Sequence, residues 1–173
     1  DVLLTTNWHQ GDPFNRQCPA PPPGDDCTAA RCVVGCVATA GAQIMRYWYW
    51  PPYGEGGSPY SDSYDWRNMP DTVTGGSPSA QINAVAELSH EIGIAVDMDY
   101  CSGTAPDSNP CASGVPTEDM EDVYEDHYRY DTDCRKRTRT AYNAVDWFNR
   151  MKTQFNLNRP VQYRIPGHSI VGD

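Results

Sequence analysis

The chain has 173 residues, 39% of them apolar, and a mean hydropathy of −0.66, which together describe a polar but globular protein rather than a disordered one. Its formal charge of −10 disfavours nucleic acids and anionic membranes as partners, because both attract positively charged surfaces. No stretch approaches the roughly 18 consecutive apolar residues that a membrane-spanning helix requires.

Seven cysteines are many for a protein kept in a reducing compartment. Their spacing lacks the closely spaced pairs of a zinc ribbon, and no histidine lies beside the first four. We therefore expect a secreted, extracellular protein with disulfide bonds and with no metal or cofactor; a cysteine-rich metal-binding domain is the disfavoured alternative. An odd number leaves at least one thiol unpaired among Cys18, Cys27, Cys32, Cys36, Cys101, Cys111 and Cys134.

The first predicted helix covers residues 35–50 and follows a loop at 11–34 that is rich in glycine, proline and aspartate. Large apolar residues recur at helical spacing in this helix, and alanines fill most of the intervening positions. A helix that is apolar nearly all round is buried, and the two prolines at 51 and 52 end it. Cys36 is then expected in its first turn.

That position favours a reactive thiol at Cys36. A free cysteine thiol has a pKa of about 8.5, so only a few per cent of it is thiolate at neutral pH. The positive end of a helix dipole favours the thiolate. A structural disulfide through Cys36 is the alternative, which the odd number of cysteines and the buried helix disfavour.

The elements after this helix predict an α+β protein, because helices come first and strands come last. We treat residues 1–173 as a single domain. Cys101 and Cys111 are predicted to form a disulfide within their loop. In chain order, the predicted elements are a loop at 51–78, a helix at 79–92, an extended segment at 94–100, a loop at 101–111, an acidic segment from Thr117, a helix at about 140–155, and strands at 160–165 and from His168 onward.

Among the four histidines, His168 has the context of a catalytic base. Gly167 precedes it, an apolar strand follows it, and it satisfies the roughly 130–150-residue separation between cysteine and histidine in papain-like enzymes. His90 and His127 are interpreted as surface or packing residues. His9, beside Gln10, has no evident task.

Five segments, in this order, resemble the successive signatures of the streptopain family of papain-like cysteine peptidases: LLTTNWHQGDPFN, GCVATAGAQIMRYW, YDWRNMP, AVAELSHEIGIAVDMDY and PGHSIV. The resemblance covers most of the chain, and GCVATAGAQIM is its most specific part. It implies a papain-like fold of two lobes, in which a central helix of the helical lobe bears the cysteine and the β lobe bears the histidine. It also implies synthesis as a zymogen and secretion as an endopeptidase.

The resemblance implies a role for each matching residue. Cys36 matches the nucleophile, His168 matches the base that takes the thiol proton and later protonates the leaving amine, and Gln10 matches the oxyanion-hole glutamine. The Cys36 backbone N–H is the second oxyanion donor. Gly167, just before the base, is expected to form part of the wall of the substrate cleft.

The chain departs from the family pattern in two respects. Its extra cysteines suggest up to three disulfides. The family also continues after the histidine with a segment, rich in glycine and tryptophan, that nothing here matches, so we expect the C-terminal part of the β lobe to be missing from this sequence. We expect a second chain from the same precursor to complete the β lobe.

Protein or peptide substrates follow from the resemblance, with a hydrophobic residue preferred at the second position before the cut. The alternative function is that of a catalytically inactive relative, a disulfide-stabilised binding or adhesion module. The aromatic stretch at 47–53 would then supply the contact surface. Retention of Cys36, His168 and Gln10 together argues against this alternative.

Overall fold

The structure is a computed structural model that describes residues 2–52, 63–103 and 109–173. The predicted loops at 51–78 and 101–111 lie partly outside these ranges. The helices are α1 (Cys36–Trp48), α2 (Ser79–Ala95), the single turn α3 (Met120–Asp122) and α4 (Ala144–Asn156), and the strands are β1 (Val161–Ile165) and β2 (His168–Gly172). Helices precede strands, so the predicted α+β class is confirmed.

Helix α1 is the centre of the core. Its residues from Val37 to Met45 are buried except for Gln43, as predicted for a helix that is apolar nearly all round. It packs against α2 and against both strands. Tyr49 adopts the left-handed conformation with φ of 51° and caps the helix, immediately before the cis peptide bond to Pro51.

Helix α2 extends further than predicted, through Ala95, so the expectation of an extended segment at 94–100 was wrong for its first residues. Gly93 does not end the helix, because it is buried where the Tyr100 side chain packs closely over it. A turn follows, in which the Met98 N–H donates to the Gly93 carbonyl at 2.9 Å. Among the described residues of this segment, Asp99 alone forms a strand-like bridge, to Gly114.

The acidic segment from Thr117 is helical as far as His127, although its hydrogen-bond pattern changes along the chain. A 3-10 turn (Thr117–Asp119) leads into α3 and then into a π-helical turn (Val123–His127). Met120 and Tyr124 are buried against α1 at Gly41. The segment thus covers a side of α1 that its neighbours leave open.

The last three elements of the chain are helix α4 and the hairpin formed by strands β1 and β2. Helix α4 begins at 144 rather than 140, because the Asn143 side chain accepts a hydrogen bond from the Asp146 N–H at 2.9 Å and caps it there. Strands β1 and β2 are antiparallel, with Ile165 opposite His168 across the turn. None of the described helices is both long and apolar enough to cross a membrane.

The disulfides differ from the predicted pair. Cys101 is bonded to Cys32 rather than to Cys111, and Cys111 is bonded to Cys27. The cause is the close approach of Cys27 and Cys32 to Cys101 and Cys111, where Cys27, Cys32 and Cys101 are buried together and Cys111 is partly buried against them. The Cys32–Cys101 bond joins residues 69 positions apart and the Cys27–Cys111 bond joins residues 84 positions apart, so both disulfides cross-link distant parts of the chain.

Loss of the Cys32–Cys101 bond should destabilise the fold strongly. Closing a loop of this length removes chain entropy from the unfolded state, worth about 4 kcal/mol in the entropic model and roughly 2–5 kcal/mol in practice. We expect Cys32→Ser with Cys101→Ser to lower the free energy of unfolding by that amount in urea titrations. The free Cys134 offers the control, since Cys134→Ser removes a thiol and no cross-link. Equal stability of the two variants would contradict a constraining role for this disulfide.

Candidate active site

A cavity of about 220 Å³ lies where the start of α1, the start of β2 and the N-terminal segment meet. Three of the predicted site residues, Gln10, Cys36 and His168, share its wall. Gly167 is not among the lining residues and lies next to His168 in the hairpin turn, with φ of 73°. Its predicted role in the cleft wall stays a prediction. The lining consists of Trp8, His9, Gln10, Cys36, Thr39, Ala40, Gln43, His168, Ser169 and Ile170.

Cys36 is the first residue of α1 and carries a free, half-buried thiol. The first N–H groups of a helix have no acceptor within the helix, so the Cys36 N–H is oriented for an external acceptor. Gly35 caps the helix with φ of 89°. A methyl group there would lie 2.7 Å from the Met98 Sδ and 3.2 Å from the Ser113 carbonyl oxygen. Glycine is therefore required for the chain to turn into the helix at this point.

The segment that carries Gln10 is fastened beside the Cys36 loop by backbone and side-chain hydrogen bonds. The Gln10 carbonyl accepts from the Val34 N–H at 2.9 Å, two residues before Cys36. The Trp8 indole N–H donates to the Pro70 carbonyl at 3.0 Å. The Gln43 amide on α1 donates to the Thr6 carbonyl at 3.1 Å. These contacts hold the backbone at Gln10, a residue that lines the same cavity as Cys36.

His168 is the first residue of β2 and is exposed, whereas the next residue, Ser169, is 3% exposed. The alternation of a strand thus places the serine against the interior and leaves the imidazole accessible. The tight turn at Pro166 and Gly167 fixes where β2 begins, since a proline followed by a glycine with positive φ suits a two-residue turn. The histidine position is therefore set by the hairpin.

Sequence reasoning missed His9 and Thr39 as cavity residues. The His9 Nδ1 accepts from the Gly11 N–H at 3.2 Å, and its ring lies edge-on to Phe14 at 4.8 Å between centroids. The Thr39 hydroxyl is buried and has no hydrogen-bond partner within the described ranges. The signals were adjacency to Gln10 for His9 and helical spacing from Cys36 for Thr39, which lies one turn later on the same helix.

The other two free thiols are outside the cavity. Burial raises the pKa of Cys18 to about 11, and burial together with the nearby carboxylates of Glu125 and Glu121 raises the pKa of Cys134 to about 11. Both therefore stay protonated at neutral pH. Within the described ranges no cluster of three or more histidine, cysteine, aspartate or glutamate side chains is arranged to hold a metal ion.

The sequence pattern of the Peptidase C10 family matches residues 8–173. The chain belongs to this family. Streptopain of Streptococcus pyogenes is 26% identical to it over 195 residues, a match that covers 96% of this chain and 47% of streptopain. The predicted membership of the streptopain family is thus confirmed. The chain spans about half the length of the curated relatives it matches.

Solved structures agree with the family assignment. Interpain A of Prevotella intermedia, described as an active cysteine protease, is 27% identical, with a TM-score of 0.76, and the match covers 99% of this chain and 73% of that one. A mutant fragment of prointerpain A from the same organism is 28% identical, with a TM-score of 0.82 over 99% of this chain and 56% of that one. The predicted papain-like fold of this C10 peptidase chain is thus confirmed.

Replacing Gly35 should damage both the stability and the site. Gly35→Ala places a Cβ on a residue with φ of 89° and ψ of 140°, a sparsely populated conformation that costs a non-glycine residue roughly 1–3 kcal/mol. It also crowds Met98 and Ser113, which costs about 1–3 kcal/mol more. Gly24→Ala is the matched control, because Gly24 has φ of 86° with nothing within 4 Å of an added Cβ. We expect thermal unfolding to show a larger loss for Gly35→Ala, accompanied by loss of Cys36 reactivity. Identical losses in the two variants would contradict the crowding.

Proposed function

We propose that the chain provides the nucleophile, base and oxyanion donor of a cysteine endopeptidase. The observation that carries the proposal is the shared wall of one cavity, to which Gln10, Cys36 and His168 come from three distant parts of the sequence. Membership of a peptidase family supports the same conclusion. A binding module has no need for a free thiol, an accessible imidazole and a side-chain amide in one small cavity.

In the first half of the proposed reaction, Cys36 and His168 form a thiolate–imidazolium pair. The Cys36 sulfur attacks the scissile carbonyl carbon, a C–S bond forms, and the carbonyl electron pair moves onto oxygen. The Gln10 amide and the Cys36 N–H donate hydrogen bonds to this oxyanion. As the tetrahedral intermediate collapses, His168 gives its proton to the leaving amine, the C–N bond breaks, and a thioester remains.

In the second half, the neutral His168 imidazole takes a proton from water, whose oxygen attacks the thioester carbonyl carbon. The C–S bond then breaks, the carboxylic product leaves, and the thiolate–imidazolium pair returns. No step requires a metal or a cofactor.

The substrates in this proposal are proteins or peptides with a hydrophobic residue at the second position before the cut. Gly167 forms part of the cleft wall once a substrate is bound. The two long-range disulfides fit secretion into an oxidising, extracellular medium. Similarity to prointerpain A fits synthesis as a zymogen. Nucleic acids and membranes are not partners in this account, since the net charge is −10.

The exposed side of α4 and β2 supports the expectation that further polypeptide, such as a second chain from the same precursor, completes the β lobe. In helix α4, Val145 is 67% exposed and Phe148 is 64% exposed, and no α4 residue is buried within the described structure. Ile170 on β2 is also exposed. Apolar side chains concentrated in this way on a helix and an adjacent hairpin are suited to burial under additional chain.

Labelling with a peptidyl chloromethyl ketone tests the proposed function. We expect alkylation at Cys36 near pH 7, located by peptide mapping, with Cys18 and Cys134 unmodified. A thiol with a pKa of about 11 has roughly one thiolate in 10⁴ molecules at pH 7, so labelling of those two should emerge only as the pH rises toward 11.

His168→Ala should slow the labelling of Cys36 by roughly 10²–10⁴-fold, the usual contribution of a general base. His90→Ala is the matched control, because His90 lies on α2 outside the cavity. Unmodified Cys36 in the folded wild-type protein, or equal labelling of all three free thiols, would contradict the proposal and favour the binding module.

The role of Gln10 as an oxyanion donor can be distinguished from an effect on the Cys36 nucleophile by comparing two reactions. Gln10→Ala should lower kcat for peptide hydrolysis by about 10²–10³-fold, because one oxyanion donor is lost. Alkylation of Cys36 by chloroacetamide develops no oxyanion and should change less than about threefold. Gln17→Ala is the control, since Gln17 is exposed and donates to the Asn83 carbonyl instead. Equal losses in both reactions would assign Gln10 a purely structural role.

A further inference from the structure

One side chain connects the segment bearing Cys36 to the segment bearing His168. The Gln162 Nε2 on β1 donates to the Val37 carbonyl at 3.0 Å and to the Ser169 hydroxyl at 3.0 Å. Val37 directly follows Cys36, and Ser169 directly follows His168. Gln162 itself is not among the residues that line the cavity, so it acts from behind the wall.

The orientation of the Gln162 amide is fixed from its other end. The Tyr124 hydroxyl donates to the Gln162 Oε1 at 2.9 Å. Burial raises the pKa of Tyr124 well above its ordinary value, so this phenol keeps its proton and remains a donor. A reversed amide would set an oxygen against the Val37 carbonyl oxygen and turn its NH₂ group toward the phenol. Only one orientation satisfies all three partners.

Burial makes these bonds hard to replace. Ser169 is 3% exposed and Tyr124 is 5% exposed, so water cannot readily take over their hydrogen bonds. Losing a partner in such a place leaves a polar group unsatisfied, which costs more than an average surface hydrogen bond contributes. The amide is also planar and short, so it fixes the separation of the two segments it joins.

We propose that Gln162 is a positioning residue that sets the register of the His168 imidazole against the Cys36 thiol. This inference rests on the proposed function, and it adds a residue to which neither the sequence motifs nor the family resemblance assigned a role. The hydrogen bond from Gln162 to the Val37 carbonyl joins residues that are 125 positions apart, and Val37 is adjacent to the Cys36 nucleophile. Displacing reacting groups by about 1 Å can cost on the order of 10²-fold in rate.

The test compares Gln162→Met with wild type in two measurements. Methionine keeps the length of the side chain and removes its donors and acceptor. We expect kcat for a peptide substrate to fall about 10–100-fold with KM changed less than about threefold. We also expect chloroacetamide alkylation of Cys36 at pH 5, relative to pH 8, to fall by about tenfold, because a misplaced imidazolium no longer stabilises the thiolate in acid.

Gln154→Met on the exposed helix α4 is the matched control and should leave both measurements unchanged. If Gln162→Met does not fold, Ser169→Ala and Tyr124→Phe remove one bond each, and we expect losses of about 3–10-fold in kcat with the same change in pH profile. A purely structural role would lower thermal stability and leave the pH profile of the folded protein as in wild type.

The outcomes separate the inference from the function on which it rests. If Cys36 of the wild-type protein is alkylated at pH 5, and if alkylation at pH 5 relative to pH 8 falls in the Gln162 variant, both the proposed function and the inference are supported. If the wild-type protein reacts at pH 5, and if the folded variants keep the wild-type kcat and the wild-type ratio of alkylation at pH 5 to pH 8, the inference alone is overturned. No acid reactivity in the wild-type protein overturns the proposed thiolate–imidazolium pair and the inference together.

Discussion

The burial of α1 is the constraint on which the rest of the molecule depends. From Val37 to Met45 every residue of the helix except Gln43 is buried, and α2, the 117–127 segment and the β hairpin each cover part of it. Burying each large apolar side chain is worth roughly 1.5–3 kcal/mol. Because Cys36 begins this helix, the packing that stabilises the fold also fixes the thiol at the edge of the cavity.

A second constraint acts on the segment that enters α1. Residues 32–34 are held by three contacts. Cys32 forms a disulfide, and the Val34 N–H donates a hydrogen bond to the Gln10 carbonyl. The Ser113 hydroxyl donates a hydrogen bond to the Val33 carbonyl at 2.7 Å. Ser113 also accepts from the Cys101 N–H at 3.3 Å. The disulfide cluster thus adjoins the wall that carries Gln10 and Cys36, so its stabilising effect extends to the site.

Local signals made α1 and the hairpin predictable, since periodicity and the positions of proline and glycine act over a few residues. The place of Cys36 in the first turn of α1 indicated a reactive thiol, whereas the roles of His168 and Gln10 beside it were expected from the family resemblance. The disulfide pairing was predicted wrongly because it depends on two loops that meet only after folding. The end of α2 was placed too early because Tyr100 packing overrides the weak helix propensity of Gly93. Gln162 gave no sequence signal, since its partners are set by the approach of the hairpin to α1.

The roles of the site residues can be tested most directly by a crystal structure of the protein with a bound peptide aldehyde. The aldehyde carbon accepts the Cys36 sulfur, and the former carbonyl oxygen takes the place of the oxyanion. Our account predicts this oxygen within hydrogen-bond distance of the Gln10 amide and the Cys36 N–H, with the His168 imidazole beside the new C–S bond. An adduct whose oxygen faces solvent away from Gln10, or a bond to a cysteine other than Cys36, would contradict it.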